Sequence, residues 1–334
     1  MKKALSTLPK TLDETYDRIL ANIPKEYQEE TIQLLQFLTY SERPLTIEEA
    51  VDAIAVDLQN DPQFNAEFRL PCPLEIARFG SSLVSLVERE SHRELELAHF
   101  SVKEYLTTKV LPEPFQGQMY EATARGRMIK ICLAYLSYLG AEESVDDIAS
   151  QFPLARYSAR YWMDHAKLAE TSDGVQESIM DFFQNHKAYS AWRGLFDPER
   201  PRDKNPHRSS ASPLYFASLK GLVVTVQTLL ENGTKVNAQG GQYGNALQAA
   251  SFTGYEKIVQ ILLEKGANVH AQGGAYGNAL QAASLRGYEK IVQILLEKGA
   301  DVHTQGGIYG NALQAASAKG HEKIVQILRK KGAN

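Results

Sequence analysis

The feature that most constrains this chain is a repeat of constant period in its last third. The hexapeptide Asn-Ala-Leu-Gln-Ala-Ala occurs at 245–250 and again at 278–283 and 311–316. A related hexapeptide, Ser-Pro-Leu-Tyr-Phe-Ala, lies one period earlier at 212–217. Similarity at a fixed period of this length indicates a row of small structural units, each of which buries its apolar sides against its neighbours.

Each unit predicts two helices separated by a glycine turn. Asn245 is suited to cap the first helix, and Leu247 and Ala250 give that helix a narrow buried stripe. Gly254 turns the chain, and the apolar residues that follow predict a second helix that ends at Gly266. Because neither helix buries its apolar side alone, the units are expected to stack.

The pattern resembles ankyrin repeats, whose units open with Thr-Pro-Leu-His-x-Ala. The resemblance implies an α-solenoid of four repeats with glycine-rich fingers between them. The repeats would lie at about 212–244, 245–277, 278–310 and 311–334. Two departures from the usual pattern leave the hydrogen bonding at the start of each unit open. Ala246, Ala279 and Ala312 replace the proline, and Gln248, Gln281 and Gln314 replace the histidine.

The last unit ends in a basic cluster. Leu263 and Leu296 of the earlier units correspond to Arg329, which Lys330 and Lys331 follow. Charge at a position where a further repeat would pack indicates a C-terminal cap. A chain cut at a repeat boundary, with one chance substitution, is the alternative.

Two of the units are nearly identical, and the positions at which they differ are informative. The units at 245–277 and 278–310 differ at five of 33 positions, which include the end of the first helix and the tip of the finger. In an ankyrin stack both elements line the concave side. The hypothesis is that these positions set partner specificity, and drift at exposed sites is the alternative. The tip residues are Gln242, Ala275 and Ile308, and the helix-end residues are Phe252, Leu285, Ala318, Thr253, Arg286 and Lys319.

A tyrosine follows each finger tip, at Tyr243, Tyr276 and Tyr309. Aromatic residues often supply much of the binding energy at protein interfaces. The three rings are therefore candidate contact residues for a partner. Packing of each ring against the neighbouring finger is the alternative.

The segment at 1–111 predicts a winged helix. Apolar segments at 83–88 and 94–99 flank a polar turn and predict a two-stranded hairpin, and a helix is expected near 26–39. Three patterns typical of capping boxes mark further helix starts. They are Thr11-x-x-Glu14, Thr46-x-x-Glu49 and Ser101-x-x-Glu104.

Net charge separates the two ends of the chain. Residues 1–111 hold 12 Lys and Arg against 19 Asp and Glu, a net charge of −7, whereas 212–334 hold 12 against 7, a net charge of +5. Lys and Arg on phosphates supply most nucleic-acid affinity, so an acidic winged helix argues against DNA binding. The modest charge of the repeats favours a protein partner over nucleic acid. Four acidic residues in and next to the helix predicted over 47–56 would repel phosphate: Glu48, Glu49, Asp52 and Asp57.

Several segments resemble parts of a known receptor class. Leu-Ser-Thr-Leu-Pro-Lys-Thr-Leu-Asp-Glu-Thr-Tyr at 5–16 and Leu-Ala-His-Phe-Ser-Val-Lys-Glu-Tyr-Leu at 97–106 are similar to the winged-helix segment that follows the NACHT ATPase core of fungal NOD-like receptors. Residues 152–159 and 162–165 resemble the helical segment that comes next in that group. The resemblance implies that the ankyrin array is a C-terminal sensor. This winged helix often carries the name of a GPI inositol-deacylase, which implies no such activity here.

His99 is the residue for which the resemblance implies a nucleotide contact. In such receptors a histidine in the His-x-x-x-x-Glu-Tyr-Leu neighbourhood can touch the diphosphate, and His99 has that position. A structural histidine beside a helix cap is the alternative. The contact also requires a NACHT core, and the sequence contains no Gly-x-x-x-x-Gly-Lys-Ser/Thr loop. We therefore expect no ATP hydrolysis by this chain alone, and no cofactor.

No catalytic or metal site is expected. His99 and Ser101 lie close together, but no carboxylate is placed behind the histidine, and the serine is expected to cap a helix. Cys72 and Cys132 have no His or Cys at the spacing of metal ligands and imply no disulfide framework. We expect neither an enzyme nor a small-molecule substrate.

The expected organisation is mainly α-helical. A winged helix with a small β-hairpin occupies 1–111, a helical domain 112–196, a polar linker with three prolines 197–211, and the ankyrin α-solenoid 212–334. The start of the chain lacks an apolar run of signal-peptide length, and no segment reaches the roughly 20 apolar residues of a membrane helix. We therefore expect a cytoplasmic protein without a membrane contact.

The function expected from these features is that of a protein–protein interaction scaffold. The array would bind a partner protein as the sensor end of a fungal NOD-like receptor, or of a fragment of one. The alternative is a stand-alone cytoplasmic ankyrin adaptor without a nucleotide switch. A phosphate-binding loop encoded upstream of Met1 would distinguish the receptor from the adaptor.

Overall fold

The computed structural model describes residues 11–139, 145–200 and 211–334. The chain divides into two compact units, one that ends at Phe196 and one that begins at Asp197. Both units are mainly helical, as predicted, and the first contains a small sheet. Most of the predicted linker, at 201–210, lies outside the described residues, as does the beginning of the receptor-like segment, at 5–10.

The first part of the N-terminal unit consists of short helices around an antiparallel sheet. The helices are α1 (Leu12–Ala21), α2 (Gln28–Tyr40), α3 (Ile47–Ile54), α4 (Ile76–Phe79) and α5 (Phe100–Thr108), and the strands are β1 (Leu45–Thr46), β2 (Val84–Glu88) and β3 (Arg93–Leu97). The sheet order is β1-β3-β2, so that Leu95 lies between Leu45 and Leu86 and is fully buried. The predicted hairpin is confirmed. Strand β1 was not predicted because two residues carry no readable alternation.

Two of the three predicted capping boxes begin helices where expected. Thr11 Oγ1 accepts a hydrogen bond from Glu14 N at 3.2 Å and caps α1. Thr46 Oγ1 accepts from Glu49 N at 3.2 Å, and Thr46 N donates to the Glu49 carboxylate at 2.9 Å. The second pair forms a complete capping box at the start of α3.

The third predicted cap is wrong by two positions. Helix α5 begins at Phe100, and its cap is His99, whose Nδ1 lies 3.3 Å from Ser101 N as acceptor. The Ser101 hydroxyl contacts the Tyr16 hydroxyl at 2.8 Å and His99 Nδ1 at 2.7 Å instead. His99 Nδ1 thus caps this helix, which is the role that the pattern assigned to Ser101.

The second part of the N-terminal unit is helical, as predicted for the domain at 112–196. Its helices are α6 (Glu121–Tyr138), α7 (Val145–Gln151), α8 (Ala155–Ala169), α9 (Val175–Gln184) and α10 (His186–Leu195). The ring of Trp162 lies 5.6 to 5.8 Å from the rings of Phe182, Phe183 and Trp192. This aromatic cluster forms the core between α8, α9 and α10.

A buried carboxylate joins the two parts of this unit. Asp52 of α3 is 1% exposed, lies 2.5 Å from Arg69, and accepts hydrogen bonds from the Tyr135 hydroxyl and from Leu154 N. Tyr135 and Leu154 belong to the predicted helical domain, so that domain packs on the winged helix within one compact unit. The boundary at 111/112 stays a prediction.

Two acidic residues of α3 differ from the expectation based on charge. Glu49 and Asp52 were expected to face outward and repel phosphate, but both are buried and pair with Arg43 and Arg69 at 2.5 Å. Burial of a carboxylate is stable here because each one has a guanidinium partner, which a helical pattern alone does not reveal. Glu48 and Asp57 are exposed, as expected.

A buried histidine in this unit predicts a pH dependence. His165 is fully buried, with Arg125 Nη1 2.9 Å from its Nδ1 and the Tyr157 hydroxyl 3.0 Å from its Nε2. Burial, and then the charge of Arg125, lower the pKa of His165 to about 4. As the pH falls, His165 is therefore protonated at a higher pH in the unfolded chain than in the folded chain. The folded state loses stability as the pH falls from about 6.5 towards 4.

We expect the N-terminal unit to lose about 2 kcal/mol between pH 7 and pH 5 through His165. Urea unfolding followed by tryptophan fluorescence measures this unit alone, since both tryptophans, Trp162 and Trp192, lie in it. His165→Gln is the control, because it lacks the titrating group. An equal loss in both proteins would contradict the prediction.

The C-terminal unit consists of four helix pairs, as the period predicts. They are α11 (Pro213–Lys220) with α12 (Val223–Glu231), α13 (Ala246–Thr253) with α14 (Glu256–Glu264), α15 (Ala279–Arg286) with α16 (Glu289–Glu297), and α17 (Ala312–Ala318) with α18 (Glu322–Lys330). Within the row, first helices pack on first helices and second helices on second helices. The predicted cap at Asn245 is confirmed, and Ser212, Asn278 and Asn311 cap the corresponding helices of the other units.

The turns and the basic end of the array also have the expected form. Gly254 and Gly266 have φ values of +89° and +86°, which favour glycine. Arg329, Lys330 and Lys331 are exposed. Their role as a cap stays a prediction.

Candidate partner-binding cleft

The finger tips form one hydrogen-bonded row. Each finger is closed by a backbone hydrogen bond between two of its glycines, from Gly240 N to Gly244 O and at the equivalent positions one and two periods later, at 2.7 to 2.8 Å. Neighbouring fingers are joined at their tips, since Ala275 N donates to Gln242 O at 2.8 Å and Ile308 N donates to Ala275 O at 3.1 Å. The three predicted tip residues are therefore consecutive members of the row, and the Ile308 side chain is 68% exposed.

Glycine allows the fingers to approach so closely. Gly274 has a φ of +65°, and a Cβ on it would lie 2.3 Å from the carbonyl carbon of Tyr243. Gly307 has a φ of +64°, and a Cβ on it would lie 2.4 Å from the carbonyl carbon of Tyr276. No other residue fits this spacing without a shift of backbone.

Glu199 begins the row and was missed by sequence reasoning, which placed it in the linker. Its carboxylate accepts a hydrogen bond from Gln242 N at 2.5 Å and another from the Tyr215 hydroxyl, whose oxygen accepts from Tyr243 N at 3.1 Å. Glu199 is thus the acceptor for the first finger tip, whereas the second and third tips donate to a backbone carbonyl of the preceding finger. Burial, and then the hydrogen bond to Glu199, raise the pKa of Tyr215.

Two of the glutamines that replace the usual histidine, Gln248 and Gln281, connect their units to the next finger. Gln248 Nε2 donates to the carbonyl oxygens of Gly273 and Gly277 at 3.0 and 2.9 Å. Gln281 Nε2 also makes two bonds in the following finger, each 3.0 Å, to Gly310 O, which corresponds to Gly277 O, and to Thr304 O. The hydrogen bonding that the sequence left open is therefore an inter-repeat brace. In the first unit Tyr215 occupies the equivalent position.

Comparison of Gln281→Ala with Gln314→Ala isolates this brace. Both side chains accept from their own cap residue, Asn278 N at 3.0 Å and Asn311 N at 3.1 Å, but among the described residues no carbonyl contacts Gln314 Nε2. We expect Gln281→Ala to destabilise the array by about 1–3 kcal/mol, because two carbonyls lose their donor, and Gln314→Ala by less than about 1 kcal/mol. Urea unfolding of the full chain followed by circular dichroism measures both, and equal losses would mean that the brace contributes nothing.

Three rings form a stack beside the fingers. The Phe252 ring lies 4.4 Å from Tyr243 and 4.8 Å from Tyr276, with interplanar angles of 27° and 12°. The Arg286 guanidinium carbon lies 5.0 Å from the centre of the Phe252 ring. Tyr243 and Tyr276 therefore do pack across neighbouring fingers. All three rings remain partly exposed, so packing and partner contact are compatible.

A cleft of about 370 Å³ lies between the fingers and the first-helix ends. Six residues singled out from the sequence line it, namely Phe252, Tyr276, Leu285, Arg286, Tyr309 and Lys319. Leu285 is only 6% exposed and therefore belongs to the floor. The other candidates, Gln242, Tyr243, Thr253, Ala275, Ile308 and Ala318, are not among the lining residues. Their contribution to specificity stays a prediction.

His321 also lines the cleft and was not predicted. It occupies the position of Tyr255 and Tyr288 in the earlier units, whose rings cover the glycines that end the preceding first helices. His321 Nε2 lies 3.1 Å from Leu285 O, and a Cβ on Gly287 would lie 2.7 Å from its ring. A glycine followed at a constant interval by a ring is a signal that the sequence contains.

His99 lies in the other unit, at the N-terminus of α5. It is exposed, its ring lies 4.3 Å from that of Phe100, and its Nδ1 contacts the backbone and hydroxyl of Ser101. These are the contacts of a helix cap. A nucleotide contact stays a prediction that depends on a NACHT core.

The described ranges contain neither a cluster of possible metal ligands nor a helix suited to span a membrane. Within 11–139, 145–200 and 211–334, no three His, Cys, Asp or Glu side chains are placed to hold a metal ion. None of the helices described there is both long and apolar enough to cross a bilayer. Cys132 is buried and Cys72 is exposed, and both are free thiols.

The fold and the cleft define a protein with a winged-helix domain and ankyrin repeats, and known families match both parts. Residues 17–116 match the family described as the winged helix domain of GPI inositol-deacylase. Residues 195–273 and residues 273–334 each match the family described as Ankyrin repeats (3 copies). Both structural predictions are confirmed. The first ankyrin match also contains Glu199, in agreement with its contacts.

The chain is similar to the azaphilone pigments biosynthesis cluster protein L of Monascus ruber, with 38% identity over 270 residues. The match covers 74% of this chain and 57% of the relative, so the chain spans little more than half of the relative's length. A match of this extent is longer than either compact unit. The similarity therefore includes parts of both.

Proposed function

We propose that the chain is a protein–protein interaction scaffold whose ankyrin array binds a partner protein through the cleft. The observation that carries the proposal is the convergence of six residues, chosen from differences and recurrences between units, on one partly exposed cleft. Aromatic residues and arginine are enriched among the residues that dominate binding energy at interfaces. The stack of Tyr243, Phe252 and Tyr276 with Arg286 supplies both types in a preorganised form.

The proposal includes no catalytic activity, cofactor or small-molecule substrate. The Ser101 hydroxyl contacts His99, but it is shared with Tyr16, and no carboxylate of the described residues is hydrogen-bonded to His99. A nucleophile of the usual kind needs a base that a third group orients. Nucleic acid is also not the proposed partner, because the winged-helix segment has a net charge of −7.

More specifically, the array is proposed to be the cytoplasmic sensor end of a fungal NOD-like receptor, or of a fragment of one. The order of winged helix, helical segment and ankyrin repeats supports this role, as does the greater length of the Monascus ruber relative. The name of that relative connects it with an azaphilone pigment cluster. A stand-alone adaptor that acts beside such biosynthetic proteins is the second candidate, and a phosphate-binding loop encoded upstream would favour the receptor.

Photo-crosslinking in the native cells tests partner binding at the cleft. The full chain carries p-benzoylphenylalanine at position 309, on the cleft, or at position 290, on the exposed surface of α16. We expect one crosslinked protein of defined mass from position 309 and none from position 290. The absence of a product from position 309, or the same product from both positions, would contradict the proposal.

A further inference from the structure

We infer that the cleft recognises an acidic linear segment of the partner, in which a carboxylate lies next to an apolar side chain. The inference rests on the proposed function, namely that the array binds protein. It assigns the chemistry of the ligand, which follows from the charges and the shape of the cleft.

Among the described residues, the cations of the cleft lining have no acidic partner. Arg286 and Lys319 are exposed on the cleft lining, no carboxylate lines it, and neither cation forms an ion pair with a described residue. On the second helices the arrangement is different, since Lys290 and Lys323 lie 3.7 and 3.6 Å from carboxylates of the preceding unit. Two lysines of the second helices are thus paired with carboxylates, whereas the two cations of the cleft lining have no ion-pair partner among the described residues. Such a surface is complementary to a negative ligand.

Arg286 is held in place for a carboxylate. Its guanidinium carbon lies 5.0 Å from the centre of the Phe252 ring, and that ring also packs against the rings of Tyr243 and Tyr276. Stacking on a ring face leaves the edge of the guanidinium free, and two parallel N–H groups on that edge match the two oxygens of a carboxylate. Thr253 has the equivalent position one unit earlier and Lys319 one unit later, so Arg286 and Lys319 place positive charge on two consecutive units, the third and the fourth.

The floor of the cleft provides the apolar contact. From the second unit to the fourth, the first-helix position that faces the fingers changes from Phe252 to Leu285 to Ala318, so its side chain becomes smaller while a tyrosine recurs on each finger. Space therefore opens beside Tyr309, above the buried Leu285. A volume of about 370 Å³ admits one or two side chains of an extended segment. It is too small to enclose a folded domain.

The test uses a phage library of random dodecapeptides, selected on the full-length wild-type chain. Arg286→Glu/Lys319→Glu reverses the cleft charge, and Lys290→Glu/Lys323→Glu makes the same change in net charge on the second helices. We expect enriched peptides with Asp or Glu next to an aliphatic or aromatic residue. Their affinity, measured by fluorescence anisotropy, should fall at least tenfold in the cleft variant and less than twofold in the second-helix variant. Circular dichroism checks that both variants are folded.

Peptide variants test the two chemical features separately. Replacement of the acidic residues of an enriched peptide by Asn or Gln, or of its apolar residue by Ala, should each weaken binding at least fivefold. Enrichment of basic or neutral peptides, no enrichment, or equal affinity for the wild type and a folded cleft variant would overturn the inference. If position 309 crosslinks to a partner while the peptides show no acidic preference, only this inference fails. If position 309 gives no crosslink, the proposed function fails as well.

Discussion

Replacement of Gly274 by alanine is expected to destabilise the repeat array by about 2–5 kcal/mol. The residue has a φ of +65°, where an L-residue costs about 1–2 kcal/mol. The new Cβ would also lie 2.3 Å from the carbonyl carbon of Tyr243, and overpacking of this kind adds about 1–3 kcal/mol. The hydrogen bond between Ala275 N and Gln242 O, on the next residue, should lengthen or break.

Gly266→Ala is the matched control for this experiment. Gly266 has a φ of +86°, but a Cβ there would meet no atom within 4 Å, so only the backbone cost of about 1–2 kcal/mol applies. Urea unfolding followed by circular dichroism measures the array, and tryptophan fluorescence should show an unchanged N-terminal unit. If the two variants lose equal stability, the close approach of the fingers does not determine the geometry of the cleft.

The second large effect is expected in the N-terminal unit, where Asp52→Ala should cost about 3–5 kcal/mol. Removal of one partner from a buried ion pair leaves the other charge and its hydrogen-bonding groups without compensation. In this case Arg69, the Tyr135 hydroxyl and Leu154 N all lose their acceptor. Because these groups connect the winged helix with the helical segment, the midpoint of the tryptophan fluorescence transition should shift strongly.

Glu75→Ala provides the comparison for Asp52. Glu75 also pairs with an arginine, Arg78, at 3.2 Å, but both side chains are exposed. Exposed pairs contribute little, so the expected change is within about 0.5 kcal/mol. A loss below about 1 kcal/mol for Asp52→Ala would contradict the conclusion that this carboxylate holds the two parts together.

The repeat array could be predicted in detail because its signals are local and recur at a constant period. Cap, turn glycine and apolar stripe occur in each unit, so every copy supports the others. Glu199 could not be found in this way. Its function depends on contacts with Tyr215 and Gln242, which are distant in the sequence, and a glutamate between prolines looks like any residue of a polar linker.

In the N-terminal unit, local patterns identified the helices but not the partners of their polar residues. Ser101 fits a capping box, yet the helix begins one residue before Ser101 and its cap is His99, whose ring nitrogen accepts a hydrogen bond from Ser101 N. Glu49 and Asp52 fit an exposed acidic face, yet Arg43 and Arg69 reach them from outside the helix. Such choices depend on tertiary contacts that neither propensity nor spacing encodes.

The cleft could be predicted in part. Differences between nearly identical units selected Phe252, Leu285 and Arg286, and recurrence selected the tyrosines, so most of the lining was accessible from sequence. The order of the rings in the stack and the presence of His321 in the cleft lining could not be predicted from the sequence. Both follow from the distance between neighbouring units, which only the folded array sets.

Partner binding through the cleft is tested most directly by the affinity of the full chain for the protein that crosslinks to position 309. Surface plasmon resonance would compare the wild type with Phe252→Ala/Arg286→Ala and with Lys290→Ala/Lys323→Ala. We expect the cleft variant to bind at least tenfold more weakly, as for residues at the centre of an interface, and the second-helix variant to bind within twofold of the wild type. Wild-type affinity in a folded cleft variant would contradict the central claim.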